Sequence, residues 1–580
     1  LAANTTAANN TAVGRSALAA NTTGADNTAF GKSALGANTT GANNSSFGAT
    51  SLDANTTGTQ NNAFGTNALT ANTTASYNNA FGTSTLGANT TGANNSAFGA
   101  AALTTNTTGS SNVAVGYQAL TANTTGALNA AVGNHALDAN TEGNYNNGFG
   151  LHALGGNTTG SSNVAVGANA LLANTTASNN TAVGYAALTT NITGTQNVAV
   201  GHSALSLNTT NNNTAVGFYA LRVNSTGTGN SSLGYASLDA NTTGGSNTAV
   251  GGDSLTANTT GGANTAFGKS ALLANTTASN NSAFGASALI ANTTGVNNTA
   301  MGIQALHGNT EGGYQCAFGE GALYTNTTGS NNVAMGRLAL YYNQTASNNT
   351  AVGYGSLQAN TTATANVSLG YNAGTGITTG SYNTTLGHVA AAHTTSLTTG
   401  AANILIGAFC HTSAVDSAFA YGIGYDINAV AGYMTIGNAG ADIRAAHGNV
   451  TWATVSDERY KKDIVDSTAG LSFINALQPR TFKYKTLGEL PTTFNAYKAD
   501  STEVFKNSNT NHGFIAQEVK EAIDADDNIK DGFKLWDDRP DGSQEVAEAA
   551  LIPVLTKAIQ ELSAQVTALT ARITTLENGE

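Results

Sequence analysis

The chain has 580 residues, only 9% of them charged, and a formal net charge of −12; ordinary globular proteins carry about 25% charged residues. A negative balance without a basic tract argues against nucleic-acid binding. No apolar run approaches the ~18 residues of a membrane helix, so we predict no membrane insertion. The two cysteines, Cys316 and Cys410, are too few for a disulfide framework and are interpreted as packed residues. No cofactor and no metal site is predicted.

Charge divides the chain near residue 450. Residues 1–450 contain 6 Lys or Arg and 11 Asp or Glu, whereas residues 451–580 contain 14 and 21. All four prolines and both tryptophans also follow residue 450. Two different kinds of domain are therefore expected on either side of this point.

The first part is a repeat of 17 residues. The consensus N-T-T-G-x-x-N-x-A-[V/F]-G-x-x-A-L-x-A recurs in 22 copies that begin at Asn4 and end with the copy at Asn360, with one residue lost between Asn208 and Asn224. A large apolar residue precedes the second glycine of each copy. In 21 of the 22 copies a leucine lies five residues after this apolar residue. One unit has too little apolar surface for its own core, so the copies are expected to stack.

The repeat predicts a parallel β-solenoid over residues 1–375. Asn, Thr and Gly are poor helix formers, and two glycines per unit leave only short extended pieces between turns. We expect the Val or Phe and the Leu of each coil to point inward, and the glycines to adopt positive φ at the bends. The asparagines of the NTT segments should form a ladder of side-chain amides.

The NTT segments also match the N-glycosylation sequon. We favour the structural interpretation, because the asparagine recurs wherever the coil recurs. From residue 376 to 450 the spacing becomes irregular, although pairs such as Leu386-Gly387 and Ile406-Gly407 persist. The repeats resemble the head of trimeric autotransporter adhesins of the YadA type and similar phage tail-fibre segments. This resemblance implies a left-handed β-roll packed as a homotrimer.

The irregular segment 376–450 is a candidate receptor-binding or transition region, because irregular coils can carry loops. Aromatic side chains suit the flat faces of sugars, so a cell-surface receptor of glycan type is the expected partner. The alternative, that these residues only cap the stack, has equal weight. The candidate residues are Tyr382, His388, His411, Tyr421, Tyr425 and Tyr433.

Four motifs in order mark the charged C-terminal part. They are Ser456-Asp457-Glu458-Arg459-Tyr460-Lys461-Lys462-Asp463-Ile464, Leu477-Gln478-Pro479-Arg480-Thr481-Phe482-Lys483-Tyr484, His512-Gly513-Phe514-Ile515-Ala516-Gln517-Glu518-Val519, and Leu551-Ile552-Pro553-Val554-Leu555 leading into Lys557-Ala558-Ile559-Gln560-Glu561-Leu562. They resemble the self-cleaving intramolecular chaperone at the end of phage endosialidase tailspikes and many tail fibres. The resemblance implies a small α/β chaperone domain, here at 451–545, that nucleates trimeric fibre assembly.

The same resemblance implies one self-cleavage event. The bond between Val455 and Ser456 would be cut, with Ser456 as nucleophile and Lys461 as general base. A lysine accepts a proton only in its neutral form, which burial at a subunit interface favours, so cleavage could wait for assembly. Taken alone, the charged motif would be read as a solvated turn.

Residues 546–580 are predicted to form a coiled-coil helix. Apolar residues alternate at spacings of three and four over more than three heptads: Ile552, Leu555, Ile559, Leu562, Val566, Leu569, Ile573 and Leu576. Branched residues at a with leucine at d favour two strands, whereas the resemblance implies three; we follow the resemblance.

The sequence therefore predicts a homotrimeric tail fibre or similar appendage, located in a virion or at a cell surface. It would join other tail or appendage proteins through a region preceding Leu1. A bacterial surface adhesin of the trimeric autotransporter kind is the alternative. A polysaccharide depolymerase is disfavoured, because the acids of residues 1–450 are scattered and glycosidases need two facing carboxylates.

Overall fold

The computed structural model describes residues 3–439, 441–448, 453–454, 458, 461–527, 529, 533–539 and 542–579. The chain separates into two compact units, Leu1–Val455 and Ser456–Glu580. Unit 1 is a parallel β-solenoid, as predicted, and unit 2 is a small α/β domain that ends in a long helix.

Each coil of the solenoid contributes one strand, and successive strands pair in parallel with a 17-residue register, such as Ala165 with Ala182. At about 4.8 Å per strand, the 24 strands β1–β24 extend over roughly 110 Å. These strands are β1 Thr11–Val13, β2 Thr28–Phe30, β3 Ser45–Phe47, β4 Asn62–Phe64, β5 Asn79–Phe81, β6 Ser96–Phe98, β7 Val113–Val115, β8 Ala130–Val132, β9 Asn147–Phe149, β10 Val164–Val166, β11 Thr181–Val183, β12 Val198–Val200, β13 Thr214–Val216, β14 Ser231–Leu233, β15 Thr248–Val250, β16 Thr265–Phe267, β17 Ser282–Phe284, β18 Thr299–Met301, β19 Cys316–Phe318, β20 Val333–Met335, β21 Thr350–Val352, β22 Val367–Leu369, β23 Thr384–Leu386 and β24 Ile404–Ile406.

The core of each coil differs from the prediction in one respect. The leucine is fully buried, as expected, for example Leu103 and Leu188. The Val or Phe before the glycine instead points outward, because side chains alternate across a strand and the small middle residue of the strand, usually alanine, takes the inward position. A one-strand coil is thin, so this position is usually alanine in the regular coils, whereas the irregular coils place Thr385 and Leu405 there.

Two asparagine ladders run through this core, which confirms and extends the predicted one. In the first, Asn38 Nδ2 donates to Asn21 Oδ1 at 2.7 Å and to Gly41 O at 2.9 Å. In the second, the backbone N–H of Asn44 donates to Asn27 Oδ1 at 3.0 Å. These asparagines are fully buried. A glycan on the first ladder would break it, so the burial supports the structural interpretation of the NTT segments.

The ladder breaks where the repeat breaks. Asn191 Oδ1 and Asn360 Oδ1 are buried acceptors without a hydrogen-bond partner among the described residues. In the next coil, Asn208 does not donate to Asn191 Oδ1. Its Nδ2 donates to Thr210 O, two residues further along the chain, whereas a regular ladder asparagine donates to the carbonyl three residues further along. Ile377 occupies the ladder position after Asn360 and is fully buried. The first ladder thus consists of two segments, Asn4–Asn191 and Asn208–Asn360, and each segment ends on one of these two oxygens.

Positive φ occurs at the expected glycine of each strand end and also at residues that are not glycine. Gly184 has φ 132°, and a Cβ there would lie 2.5 Å from Gly201 O. The core leucines also adopt positive φ, for example 52° at Leu103, at a cost of about 1–2 kcal/mol each. Complete burial of the leucine side chain, about 1.5–3 kcal/mol, offsets this cost.

The solenoid ends in a different sheet arrangement. Strands β26 Tyr421–Tyr425 and β28 Tyr433–Asn438 continue the parallel stack, and β25 His411–Thr412 pairs with β27 Asn428–Ala429. Strand β29 Ala441–Ala446 then pairs antiparallel with β28, and β30 Ala453–Thr454 pairs antiparallel with β29. This reversal ends the series of parallel coils.

The described part of unit 2 packs three helices and two small antiparallel strand pairs around one core. Its elements are α1 Leu471–Ala476, β31 Arg480–Phe482, β32 Asn511–Gly513, α2 Ala516–Asp524, β33 Trp536–Asp538, β34 Gln544–Val546 and α3 Leu551–Glu577, with 3-10 turns at Leu487–Glu489 and Glu548–Ala550. Phe473, Val519, Leu535 and Val554 are among its buried residues. No described helix is long and apolar enough to cross a membrane.

Candidate functional sites

A continuous apolar stripe lies on the outer face of the solenoid sheet. We define the strand-face stripe as the third residue of each of the strands β1–β24, from Val13 to Ile406. All 24 positions are Val, Phe, Leu, Met or Ile, and thirteen of them are between 37% and 54% exposed. Soluble monomers rarely expose apolar patches above a few hundred Å², so a stripe of this length indicates a surface that binds another protein surface.

Aromatic rings reinforce one part of the stripe. Five consecutive phenylalanines, from Phe30 to Phe98, stack with centroid distances of 4.7 to 5.1 Å and interplanar angles of 5° to 9°. The strand spacing imposes this distance, which suits offset stacking. Each inner ring has both faces covered by its neighbours, so only the ring edges remain for a partner.

The candidate receptor residues do not form one surface. Tyr382 is 68% exposed, and no ring contacts it among the described residues. His388 stacks on Tyr371 at 5.2 Å, so one of its faces is occupied. Tyr425 is 53% exposed and meets Phe409 edge to face. Tyr382 and Tyr425 are therefore the two candidates whose rings are most available to a ligand.

The remaining candidates are tied to neighbours. His411 is only 9% exposed, and its Nδ1 lies 3.2 Å from Phe409 O. The Tyr421 ring lies 4.6 Å from the His447 ring, and the Arg444 guanidinium lies 5.3 Å from the Tyr433 ring centroid. These contacts hold the last coils together.

Two histidines from successive coils at the end of the solenoid lie near one carboxylate. Asp426 Oδ1 lies 3.9 Å from His393 Nε2 and 3.8 Å from His411 Nδ1. Beside it, Cys410 is fully buried, and burial raises the pKa of its thiol. Within the part of the chain that the structure describes, no group of three or more potential ligands is placed to hold a metal ion.

Two acidic residues of the shaft form ion pairs with arginines of neighbouring coils. Asp239 binds Arg222 of the preceding coil at 2.8 and 3.0 Å, and Glu320 lies 3.1 Å from Arg337 of the next coil. These two carboxylates each link two adjacent coils.

In unit 2, three of the four motifs meet at one apolar groove of about 370 Å³. It is lined by Leu477 and Pro479 of the second motif, Phe514 of the third, and Leu551 and Leu555 of the fourth, with Ile474 and Glu548 beside them. Residues that are far apart in sequence therefore build a single surface feature, which explains why the motifs occur together.

Two polar contacts fix the walls of this groove. Arg480 and Glu518 form a bidentate pair whose shortest distance, between Nη2 and Oε1, is 2.7 Å; the Arg480 guanidinium lowers the pKa of the Glu518 carboxyl. Glu561 Oε2 accepts the backbone N–H of Leu471 at 2.8 Å and so caps α1 from α3. Gly470 lets the carboxylate approach closely, since a Cβ there would lie 2.6 Å from the Glu561 oxygens and the side chain would have to move.

Helix α3 presents a second unpartnered apolar surface. We define the α3 seam as the eight a and d residues predicted from the heptad pattern. All eight are between 41% and 71% exposed, whereas Leu551, Val554 and Ala558 on the other side of the helix are buried in unit 2. The seam therefore lies on the exposed face of the helix, which is the pattern typical of a coiled-coil helix.

The predicted cleavage residues are largely outside the described part of the chain. Val455 and Ser456 lie outside the described residues. Lys461 is described, with an exposed side chain, and its backbone N–H donates to Glu458 O at 2.8 Å. The Ser-Lys pairing therefore stays a prediction.

The comparisons with known proteins identify one domain. Residues 456–527 match the family model described as the chaperone of endosialidase, Peptidase_S74. This match confirms the resemblance drawn from the C-terminal motifs, three of which lie inside the matched range. No curated protein and no solved structure matches the chain. The chain thus combines a β-solenoid of 17-residue repeats with an endosialidase-type chaperone domain.

Proposed function

We propose that this protein is a homotrimeric tail fibre or similar appendage that attaches to a host cell surface, and that unit 2 is the chaperone that assembles it. The observation that carries the proposal is the presence of two unpartnered apolar surfaces, the strand-face stripe and the α3 seam, one in each unit. Both are linear and continuous, so both fit parallel copies of the same chain. The chaperone match at residues 456–527 supports three copies.

Sedimentation of the full chain tests the assembly. The expected species has three times the chain mass of 58.0 kDa. The paired substitution Leu562→Asp and Leu569→Asp places charges in the α3 seam and should reduce the trimer fraction strongly. Ala564→Asp with Ala571→Asp is the matched control on the exposed opposite face. A monomeric wild-type chain would contradict the proposal.

Attachment is placed at the irregular coils 376–450, with a surface glycan as the proposed ligand. The exposed rings of Tyr382 and Tyr425 are the best available for stacking on a sugar. The double variant Tyr382→Ala and Tyr425→Ala should lose binding to host cells at unchanged trimer content. Tyr145→Ala is the control, because Tyr145 is similarly exposed and shares the positive φ of Tyr382, but lies in a regular coil. Equal binding by both variants would exclude this location.

Self-cleavage is the second part of the proposal. Ser456 Oγ would attack the carbonyl carbon of Val455 while Lys461 takes the hydroxyl proton. The Val455–Ser456 C–N bond would then break as Lys461 passes that proton to the departing amine of Ser456, and water would hydrolyse the resulting ester to the Val455 carboxylate and the free Ser456 hydroxyl. Because the Lys461 side chain is exposed in the single chain, the dyad would need a neighbouring copy to exclude water. A denaturing gel should show two fragments from wild type and one band from Ser456→Ala. Intact wild-type trimer would remove the cleavage step and leave the assembly role.

A further inference from the structure

One carboxylate at the end of the solenoid has polar neighbours that it does not touch. Asp426 Oδ1 lies 3.9 Å from His393 Nε2 and 3.8 Å from His411 Nδ1, and both distances are too long for a hydrogen bond. In a regular coil the same kind of pair is closed, because Asp138 Oδ2 lies 3.1 Å from His135 Nδ1. A hydroxyl oxygen placed about 2.8 Å from both partners would fill the gap beside Asp426.

An insertion in one irregular coil supplies the first of these histidines, His393. In this coil the hydrogen bond from Thr378 N–H to Thr398 O spans 20 residues, whereas the same bond spans 17 residues in the regular coils. The additional residues fall within 392–396. Strands β23 and β24 on either side still pair in parallel. The insertion therefore adds a polar side chain outside the sheet and leaves the stack of strands intact.

Aromatic rings border the same carboxylate. The His393 ring lies 4.8 Å from the Phe409 ring at an interplanar angle of 55°, and the Tyr425 ring meets the Phe409 ring at 5.6 Å and 85°. These rings therefore do not cover one another face to face, as the phenylalanines of the strand-face stripe do. Tyr425 is 53% exposed and directly precedes Asp426. An exposed ring beside hydrogen-bonding groups suits a ligand with one apolar and one polar side.

The charges and protons of the cluster select the kind of ligand. No Lys or Arg occurs in the sequence between Arg337 and Arg444, so no basic side chain of these coils would compensate an anionic ligand beside the Asp426 carboxylate. His411 Nδ1 lies 3.2 Å from Phe409 O, and because a carbonyl only accepts, this nitrogen carries the proton. The gap is thus bordered by one donor and one acceptor. A hydroxyl group both donates and accepts, whereas an ammonium group only donates.

We propose that Asp426, His393 and His411, together with the rings of Phe409 and Tyr425, bind a neutral sugar that carries two adjacent hydroxyl groups. One hydroxyl bridges the carboxylate and an imidazole, and its neighbour binds the second carboxylate oxygen. An apolar face of the sugar rests on the Tyr425 ring. The inference rests on the proposed attachment to a surface glycan, and it names the class of sugar and the polar groups that select it.

Binding of the full-length protein to an array of neutral, acidic and amino sugars tests the site. Asp426→Ala and His393→Ala should each lower the affinity for neutral glycans by about tenfold or more, because each removes hydrogen bonds to the ligand. Asp253→Ala is the matched control. Asp253 also follows a strand-end glycine by two residues and has a φ of 57°, against 52° at Asp426, but it lies in a regular coil. The His393 side chain is 38% exposed, so His393→Ala separates loss of the site from loss of the fold.

Periodate treatment of the array tests the sugar itself. Mild periodate cleaves the carbon–carbon bond between adjacent hydroxyl groups, so wild-type binding should then fall to background. Binding that survives periodate, or that is confined to acidic or amino sugars, would overturn the inferred ligand. Unchanged affinity in Asp426→Ala and His393→Ala, with loss of binding in the Tyr382→Ala and Tyr425→Ala double variant, would overturn the inferred site and leave the attachment function standing. A wild-type chain that binds no glycan would instead refute the proposed attachment to a glycan.

Discussion

The buried asparagine ladder gives the sharpest test of what holds the solenoid together. Asn275 lies in the middle of the unbroken second half of the ladder. Its Nδ2 donates to Asn258 Oδ1 at 2.8 Å and to Ala278 O at 3.0 Å, and its Oδ1 accepts from Asn292 Nδ2 at 2.9 Å. Asn275→Ala removes three hydrogen bonds and leaves their partners inside the core.

The magnitude follows from these partners. Each lost bond contributes about 1 kcal/mol, and each buried group left without a partner costs about 1–3 kcal/mol. Some of the orphaned groups will relax toward water or neighbouring carbonyls, so we expect local stability to fall by about 3–5 kcal/mol. Each natural break of the ladder, at Asn191 and at Asn360, leaves a single oxygen without a partner. Asn275→Ala would leave more polar groups without partners than either of these breaks.

Hydrogen exchange with mass spectrometry is the suitable assay, because a stack of repeats opens locally and need not unfold in one step. Amides in the coils on both sides of Asn275 should exchange faster in Asn275→Ala, by a factor of about 100 or more. Thr277→Ala is the matched control, since the Thr277 side chain is exposed in the same segment. Unchanged protection around residue 275 would show that stacking of the leucines, not the ladder, stabilises the coils.

Three further outcomes are expected. Phe267 is a stripe residue that is 54% exposed, and Phe267→Asp should weaken self-association measured by sedimentation. Thr260→Asp, at an exposed corner, should associate like wild type. Equal association of the two variants would place the interface elsewhere. The Cys410 thiol, buried and with a raised pKa, should react with a thiol reagent only as the last coils open, and fast reaction in the native state would contradict its burial. Arg480 lowers the pKa of the Glu518 carboxyl. The ion pair therefore stabilises unit 2 at pH values above 4.5, the ordinary carboxyl pKa, and this stabilisation is lost as the pH falls through the lowered pKa. The melting temperature of Glu518→Gln should depend less on pH between pH 5 and pH 2 than that of wild type, and identical pH profiles would show that the pair does not stabilise unit 2.

The sequence by itself determined the solenoid, its period and its buried leucines, because a repeat that cannot enclose its own apolar residues has to stack. It also determined the asparagine ladder, the chaperone domain and the heptad seam, since each depends on the spacing of residues along the chain. These are local or periodic properties, and a single sequence displays them directly.

Only the tertiary structure decided which side of the strand faces inward. Val and Phe are more apolar than Ala, so hydrophobicity alone predicts Phe64 inside and Ala63 outside. A regular coil with one three-residue strand leaves little space beside its buried leucine, so the small residue faces inward and the larger residue faces outward, where it forms the strand-face stripe. The groove in unit 2 could not be predicted from the sequence either, because Pro479, Phe514 and Leu555 come together only when unit 2 folds. The sequence thus identified the parts, and packing assigned the surfaces on which assembly is proposed to depend.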